Sequence, residues 1–325
     1  MERNISEKEN MLHILKRDAS PGWVPITNDC YKTVVPSVIH ERPPFGTDGD
    51  DWFGCTWLWD ANCFGFAPEV RKAPLLDDIN NWREVIKFPN LDEIDWKAAA
   101  EKDLADYDPD KQLLRILLES GPFERVSAML GFQEAFLAMY EEPEEFKALI
   151  DAIADYKVQL INKVSEYYKP DDFMVQDDLG NATGPMMSLN MYRELLKPAH
   201  QMIGDAIRAN GVFYTHHSCG KMEIFIDDLI DVGVQMINPL QPLNDQVNLA
   251  KKYADKVAFE VGAETLANYE SSTEEEIRQD VRRIIDTFGP QKNLALTCFP
   301  SNAKCLHNVE IVFDEAKQYG GSFYY

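Results

Sequence analysis

Positive charge is scarce in this chain. Its 32 Lys and Arg stand against 55 Asp and Glu, a formal net charge of -23 over 325 residues. A surface that acidic repels phosphate backbones and anionic headgroups, which argues against nucleic acid or a membrane as partner. Long apolar runs are missing too. No stretch approaches the length that spans a bilayer, and Met1–Lys8 carries no apolar signal core, so the expected location is cytoplasmic. Cysteine is sparse: Cys30, Cys55, Cys63, Cys219, Cys298 and Cys305 are too few and too scattered for a disulfide framework. In a reducing compartment they read as core residues or metal ligands. No Gly-x-Gly-x-x-Gly follows any strand-like run, which counts against a dinucleotide-binding sheet. Internal repeats and low-complexity tracts are absent.

What is present is the balance of a globular protein with a large core, 45% hydrophobic and 27% charged. From Leu113 onward, apolar runs of strand length alternate with longer helical patterns. The strands are expected at Leu113–Glu119, Phe173–Gln176, Val212–His216, Gln235–Asn238, Val257–Val261 and Leu294–Thr297. Helices are expected over 130–140, 143–168, 191–209, 221–232, 246–255 and 273–287. Apolar strands separated by helices imply parallel βαβ units. With Trp23–Thr27 they make seven strands, and the eighth is expected within the irregular region 28–75. The expected fold is therefore α/β, a (β/α)8 TIM barrel spanning 1–325 as one unit, with 1–110 supplying helices and a cap. Residues 5–18 read as a helix with Ser6 as N-cap, and 79–105 as two acidic helices. Trp57, Trp59, Asn62, Phe64 and Phe66 mark a β-hairpin in an aromatic-rich stretch. That stretch is either a packing cap or an aromatic wall, with Trp57 and Trp59 against a ring-shaped ligand.

In a barrel the chemistry gathers at the C-terminal ends of the strands. Reactive side chains fall at those ends here: Asp177 and Asp178, then His217 and Cys219, then Asn238 and Gln241, then Glu260, and last Cys298. In extended backbone, residues i and i+2 face the same way, so His217 and Cys219 converge while His216 and Ser218 point elsewhere. An imidazole and a thiolate from one strand end make half of a tetrahedral zinc site, with Cys298 as the expected third ligand. Taken singly, each of these residues reads as a buried core side chain; the joint pattern points to metal. Gln241 or Glu260 completes the set in the resting state and yields to substrate. Alternation from Phe173 and Val175 turns Asp177 into the pocket, to orient substrate or act as acid/base; its alternative is a cap. Tyr214, His216 and Asn238 are expected beside the substrate or in the core. Cys305, His13, His40, His200 and His307 are expected to serve structure.

Four segments then carry a resemblance. Phe173-Met-Val-Gln-Asp-Asp-Leu-Gly180, Tyr192-Arg-Glu-Leu-Leu-Lys-Pro198, His217-Ser-Cys-Gly220 and Asp231-Val-Gly-Val-Gln-Met-Ile-Asn-Pro-Leu-Gln241, in that order, resemble the uroporphyrinogen decarboxylase superfamily. The Thr273-Glu-Glu-Glu276 helix start agrees. The resemblance implies a (β/α)8 barrel and one of two activities: metal-free decarboxylation of a polycarboxylate, or zinc-dependent methyl transfer to or from a corrinoid. An octa-anionic substrate needs converging cations, and Trp23–Thr33 contains no arginine. The resemblance to the methyltransferase branch, in the His-x-Cys pair and later cysteine, implies zinc on His217, Cys219 and Cys298. It also implies a corrinoid carried by a partner protein, since the chain has no Asp-x-His-x-x-Gly motif. The aromatic stretch tips the expected donor toward a methoxylated aromatic, with Co(I) of the corrinoid protein as acceptor. A methylcorrinoid:thiol (coenzyme M-type) methyltransferase is the alternative. A uroporphyrinogen decarboxylase-like decarboxylase and a non-catalytic binding barrel are the further ones.

Overall fold

The computed structural model describes residues 5–18, 21–70, 72–263 and 267–324. Seven strands form one all-parallel sheet: β1 (Tyr31–Val34), β5 (Leu113–Leu118), β6 (Asp172–Gln176), β7 (Phe213–His217), β8 (Met236–Asn238), β9 (Ala258–Gly262) and β10 (Leu294–Thr297), paired in that order. The sheet curls on itself. Ile26 makes a parallel bridge to Leu296, and Leu296 N donates to Pro25 O at 2.8 Å, so the chain leading into β1 lies against β10. The architecture is the expected TIM-type α/β barrel, with two adjustments at its seam. The strand expected at Trp23–Thr27 shrinks to that one bridge, because Thr27–Cys30 turns helical at once. The unlocated strand is β1, inside the irregular region. Helices connect the strands, among them Pro122–Leu130, Pro143–Tyr168, Lys197–Ala209 and Glu274–Phe288. Pro122–Leu130 is a helix beyond those expected, and Pro at its first turn is a start signal. Ser6 and Thr273 both close reciprocal capping boxes, with Glu9 and Glu276. No helix among the described residues is long and apolar enough to cross a membrane.

The strands have two faces with different partners. Leu114, Ile116, Phe173, Val175, Tyr214, Ile237, Phe259 and Leu296 pack outward against the helices in the large core. Tyr31, Leu113, Met236, Ala258 and Ala295 form a separate inner cluster, closed from below by Met11, Ile14 and Leu15 of the helix Glu7–Lys16. Above that plug sits a buried guanidinium. Arg115 donates to Asp172 at 2.6 Å and to Glu260 at 2.9 Å, and stands 3.9 Å over the Tyr31 ring; none of the three charged side chains is more than 3% exposed. Thr215 Oγ1 also donates to Asp172. This corrects the expectation for Glu260: its carboxylate is a buried interior counter-ion of Arg115 and is committed to that pair.

Residues 38–68 lie over the C-terminal end of the barrel wall. A small antiparallel sheet, β2 (Gly49–Asp50), β3 (Thr56–Asp60) and β4 (Gly65–Pro68), contains the expected hairpin. Three buried or half-buried ion pairs fasten this segment to the helices: Glu41 with Lys157, Asp51 with Arg125, and Arg42 with Glu124.

Replacing Arg115 by Met strands two buried carboxylates. Loss of one partner from a buried pair costs about 3–5 kcal/mol, so the urea midpoint of R115M, followed by far-UV CD, should fall accordingly. R115M combined with Asp172→Asn and Glu260→Gln should recover a large part. Equal stability of wild type and R115M would refute the interior role of the pair.

Candidate metal centre at the barrel rim

Strand β7 ends at His217, whose neighbours in register are Gln176 on β6 and Asn238 on β8. Asn238 Oδ1 stands 2.6 Å from His217 Nδ1. An amide oxygen only accepts, so Nδ1 donates to it, and in the neutral ring Nε2 then keeps its lone pair. That lone pair meets Cys219 Sγ at 3.6 Å and Asp178 Oδ1 at 3.9 Å. The ligand atoms of Asp178, His217 and Cys219 all lie within 4.8 Å of one another. Two ligands of a tetrahedral zinc stand about 3.4–3.6 Å apart at ordinary bond lengths, so His217 and Cys219 already stand at ligand spacing and Asp178 would move in by up to about 1.3 Å to share an ion with them. The His217 and Asp178 side chains are 20% and 30% exposed, which leaves the trio open to the mouth.

Two loops crossing at close range hold the trio. Gly220 has φ +78, and a Cβ there would lie 2.4 Å from the Gly180 carbonyl carbon. A Cβ on Gly180 would lie 2.7 Å from Lys221 N, so glycine is required on both sides of the crossing. Across it, Cys219 N donates to Asp178 Oδ1 at 2.6 Å and Leu179 N to Ser218 Oγ at 2.8 Å. Gly220 N donates to Gln241 Oε1 at 2.6 Å, and the buried Asn244 amide bonds Gly220 O and Met222 N. Gln241 therefore spends its oxygen on the turn beneath the thiol, and Asn238 spends its own on His217. Both reach the expected rim, in supporting positions.

Other expectations change. Asp177 faces outward, not into the pocket. It is fully buried and accepts from Phe123 N at 3.2 Å, Glu124 N at 2.8 Å and His200 Nε2 at 2.8 Å. Asp177 does cap, though not the Leu179-Gly180-Asn181 turn that follows it: its carboxylate takes the first free amides of the distant helix Pro122–Leu130. Phe173 and Val175, from which the alternation was counted, face the helices, so the opposite parity enters the pocket and delivers Asp178. The polar strand members Asp172 and Gln176 carried that parity in the sequence. Tyr214 and His216 are likewise on the outer face of β7, buried, with Tyr214 OH 3.3 Å from His216 Nδ1. Burial, with His200 and His217 nearby, holds the His216 ring well below its ordinary pKa and therefore neutral. Cys298 directly follows β10 and is buried, and its sulfur is not among the three gathered ligand atoms. Trp57 is buried and donates to Asp51 at 2.8 Å; Trp59 packs among Phe45, Phe64 and Phe66 in the cap sheet.

The cap still touches the site, through residues the sequence reading did not single out. Arg42 lies 5.2 Å over the Trp57 ring and donates to Glu124 at 2.8 Å, and Glu124 Oε1 accepts from Asp178 N at 3.3 Å. Burial pushes the Glu124 carboxyl up to about 8, against the pull of Arg42 and with Asp178 and Asp177 adding to the rise. The unfolded chain releases that proton near the ordinary 4.5. Between those values the folded protein holds a proton the unfolded chain has lost, so stability falls as pH rises from 5 to 8, by up to about 1.4 kcal/mol per pH unit. Glu124→Gln should flatten that slope in urea titrations with chelator present. Matching slopes would show that Glu124 does not carry it.

Among curated proteins none matches this chain. A solved structure described as a methyltransferase from Methanosarcina mazei is similar over 97% of this chain and 99% of its own, with a TM-score of 0.71 and 13% identity, a likeness of fold. A B12-independent methionine synthase from Shewanella sp. W3-18-1 covers 86% of this chain and 74% of its own at 12% identity and a TM-score of 0.46. The family model described as uroporphyrinogen decarboxylase (URO-D) matches residues 65–319, from the last strand of the cap sheet to the end of the last long helix. Six of the seven barrel strands and the loops carrying Asp178, His217 and Cys219 fall within that span, with β1 ahead of it, and the chain belongs to the uroporphyrinogen decarboxylase family.

Proposed function

We propose that this chain is a zinc-dependent methyltransferase that takes the methyl group of a methoxylated aromatic and passes it to the Co(I) of a corrinoid carried by a partner protein. The observation that carries the reading is the convergence of Asp178, His217 and Cys219 at the open mouth of the barrel. A nitrogen, a thiolate and a carboxylate are donors that zinc accepts together, and three protein ligands leave a position for substrate. Bound there, zinc supplies a Lewis acid for the ether oxygen. His217 is preset for binding by Asn238, and Cys219 by the Gly220 turn. Cys298, which directly follows β10, is proposed to take over from Asp178 as the third ligand beside His217 and Cys219, so that one position stays open for substrate. The cap carrying Trp57 and Trp59 is proposed to cover the donor ring, since Arg42 and Glu124 link it to Asp178.

Decarboxylation of a polycarboxylate fits the charge arrangement less well. Arg42, Arg125, Lys157 and Arg115 each already face a carboxylate, in Glu124, Asp51, Glu41, and Asp172 with Glu260. Family membership alone does not decide between the activities, because one barrel hosts several chemistries.

The test is anaerobic. Zinc-loaded protein is mixed with cob(I)alamin or a reduced corrinoid protein, and methoxybenzenes are added in turn. The visible spectrum should convert to that of methyl-Co(III), and Cys219→Ser should abolish the conversion. Consumption of methylcobalamin only when a thiol is supplied would place the chain on the thiol-acceptor side. Silence in both directions, with no zinc retained, would overturn the methyltransferase reading.

A further inference from the structure

Directly behind the rim, a string of buried polar groups runs from a helix to β6. Tyr192 OH lies 3.0 Å from His200 Nδ1, and His200 Nε2 lies 2.8 Å from Asp177 Oδ2. Tyr192 and His200 and the Asp177 carboxylate are all fully buried. An ionised carboxylate only accepts, so His200 donates to it through Nε2, and in the neutral ring Nδ1 then accepts from the tyrosine hydroxyl. Residues eight apart on a regular α-helix are offset by about 80° and do not meet. They meet here because Tyr192–Leu196 is a π-helical turn, ahead of Pro198, whose ring nitrogen has no hydrogen to donate. The wider turn rotates Tyr192 back over His200.

We infer that His200, steadied by Tyr192, is a positioning residue for the metal centre: by fixing Asp177 on the outer face of β6 it delivers Asp178 to His217 and Cys219 on the inner one. This rests on the zinc reading above. Consecutive residues at a strand end face opposite ways, so only one of two adjacent carboxylates can enter the barrel mouth. Asp177 is bound on three sides, by His200 and by the Phe123 and Glu124 amides at a helix start. Gly121 makes this approach possible, since a Cβ there would lie 2.3 Å from the Asp177 Cβ. Asp177 N also donates to His217 O at 3.0 Å, which ties the anchor to the backbone of the imidazole ligand. Without the His200 donor the buried carboxylate loses its one side-chain hydrogen-bond partner among the described residues, and the strand end loses the bond that selects which aspartate faces in. Supporting groups of this kind typically shift metal affinity by about 10–100-fold.

The test uses the full chain as His200→Leu, His200→Gln and Tyr192→Phe, with far-UV CD and thermal melting to confirm the fold. Zinc affinity is read by competition with a chromophoric chelator, and the ligand set by the visible spectrum of the Co(II)-substituted protein. His200→Leu should bind zinc about 10–100-fold more weakly and shift the Co(II) bands. His200→Gln, whose amide can donate to Asp177, should restore most of both. Tyr192→Phe should show a smaller loss in the same direction, and it carries the test with His200→Gln if the leucine variant does not fold. Folded variants with wild-type zinc affinity and an unchanged Co(II) spectrum would overturn the positioning role alone. A wild-type chain that binds neither metal would overturn it together with the zinc reading.

Discussion

A guanidinium sealed inside a barrel must find acceptors on several strands, and those strands must hold one register to supply them. Arg115 sets that condition here. It pairs in the ladder with Asp172 on β6, reaches Glu260 on β9, and covers the Tyr31 ring on β1. Sliding β5 by one residue would turn Arg115 out among the helices and strand two carboxylates in the centre. The same register carries upward, so that Gln176, His217 and Asn238 stand level at the mouth. The floor of the barrel, closed by the first helix, and its reactive rim are thus aligned by one interior charge cluster.

Parity then divides each strand end between two environments. At the end of β6, Asp177 goes out to the helices and Asp178 in; on β7, His216 goes out and His217 in. The outward member of each pair is buried: Asp177 caps and anchors a helix, and His216 is a neutral core ring. The inward members stay partly exposed. An acidic chain thereby keeps carboxylates of two kinds within a few ångströms, one saturated with hydrogen bonds and one with coordination capacity to spare.

Much of this was legible in the chain. The alternation of apolar runs and helical patterns located six of the seven sheet strands to within about a residue, because buried parallel strands are apolar on both faces. The convergence of His217 and Cys219 followed from two-residue periodicity alone. What failed had physical causes. β1 was hidden because Tyr31-Lys-Thr-Val34 has no long apolar run and enters the sheet through a helical turn. The choice of Asp177 over Asp178 failed because Phe173 and Val175 were taken for the inner face, whereas the face toward the helices is the more apolar one in a barrel. Glu260 was misplaced because its partner, Arg115, lies 145 residues away. The Arg42–Glu124 link depends on how the cap docks, for which no local pattern exists.

The glycine crossing beneath the rim has a mechanical side. Gly180 and Gly220 let two loops from adjacent strands touch backbone to backbone, and three hydrogen bonds, donated by Cys219 N, Leu179 N and Lys221 N, tie that contact. The loops are consequently joined into one plate that carries Cys219 on one side and Asp178 on the other. A thiolate and a carboxylate mounted on such a plate cannot drift independently, so whatever displaces one at the mouth is felt by the other without any change in the barrel below.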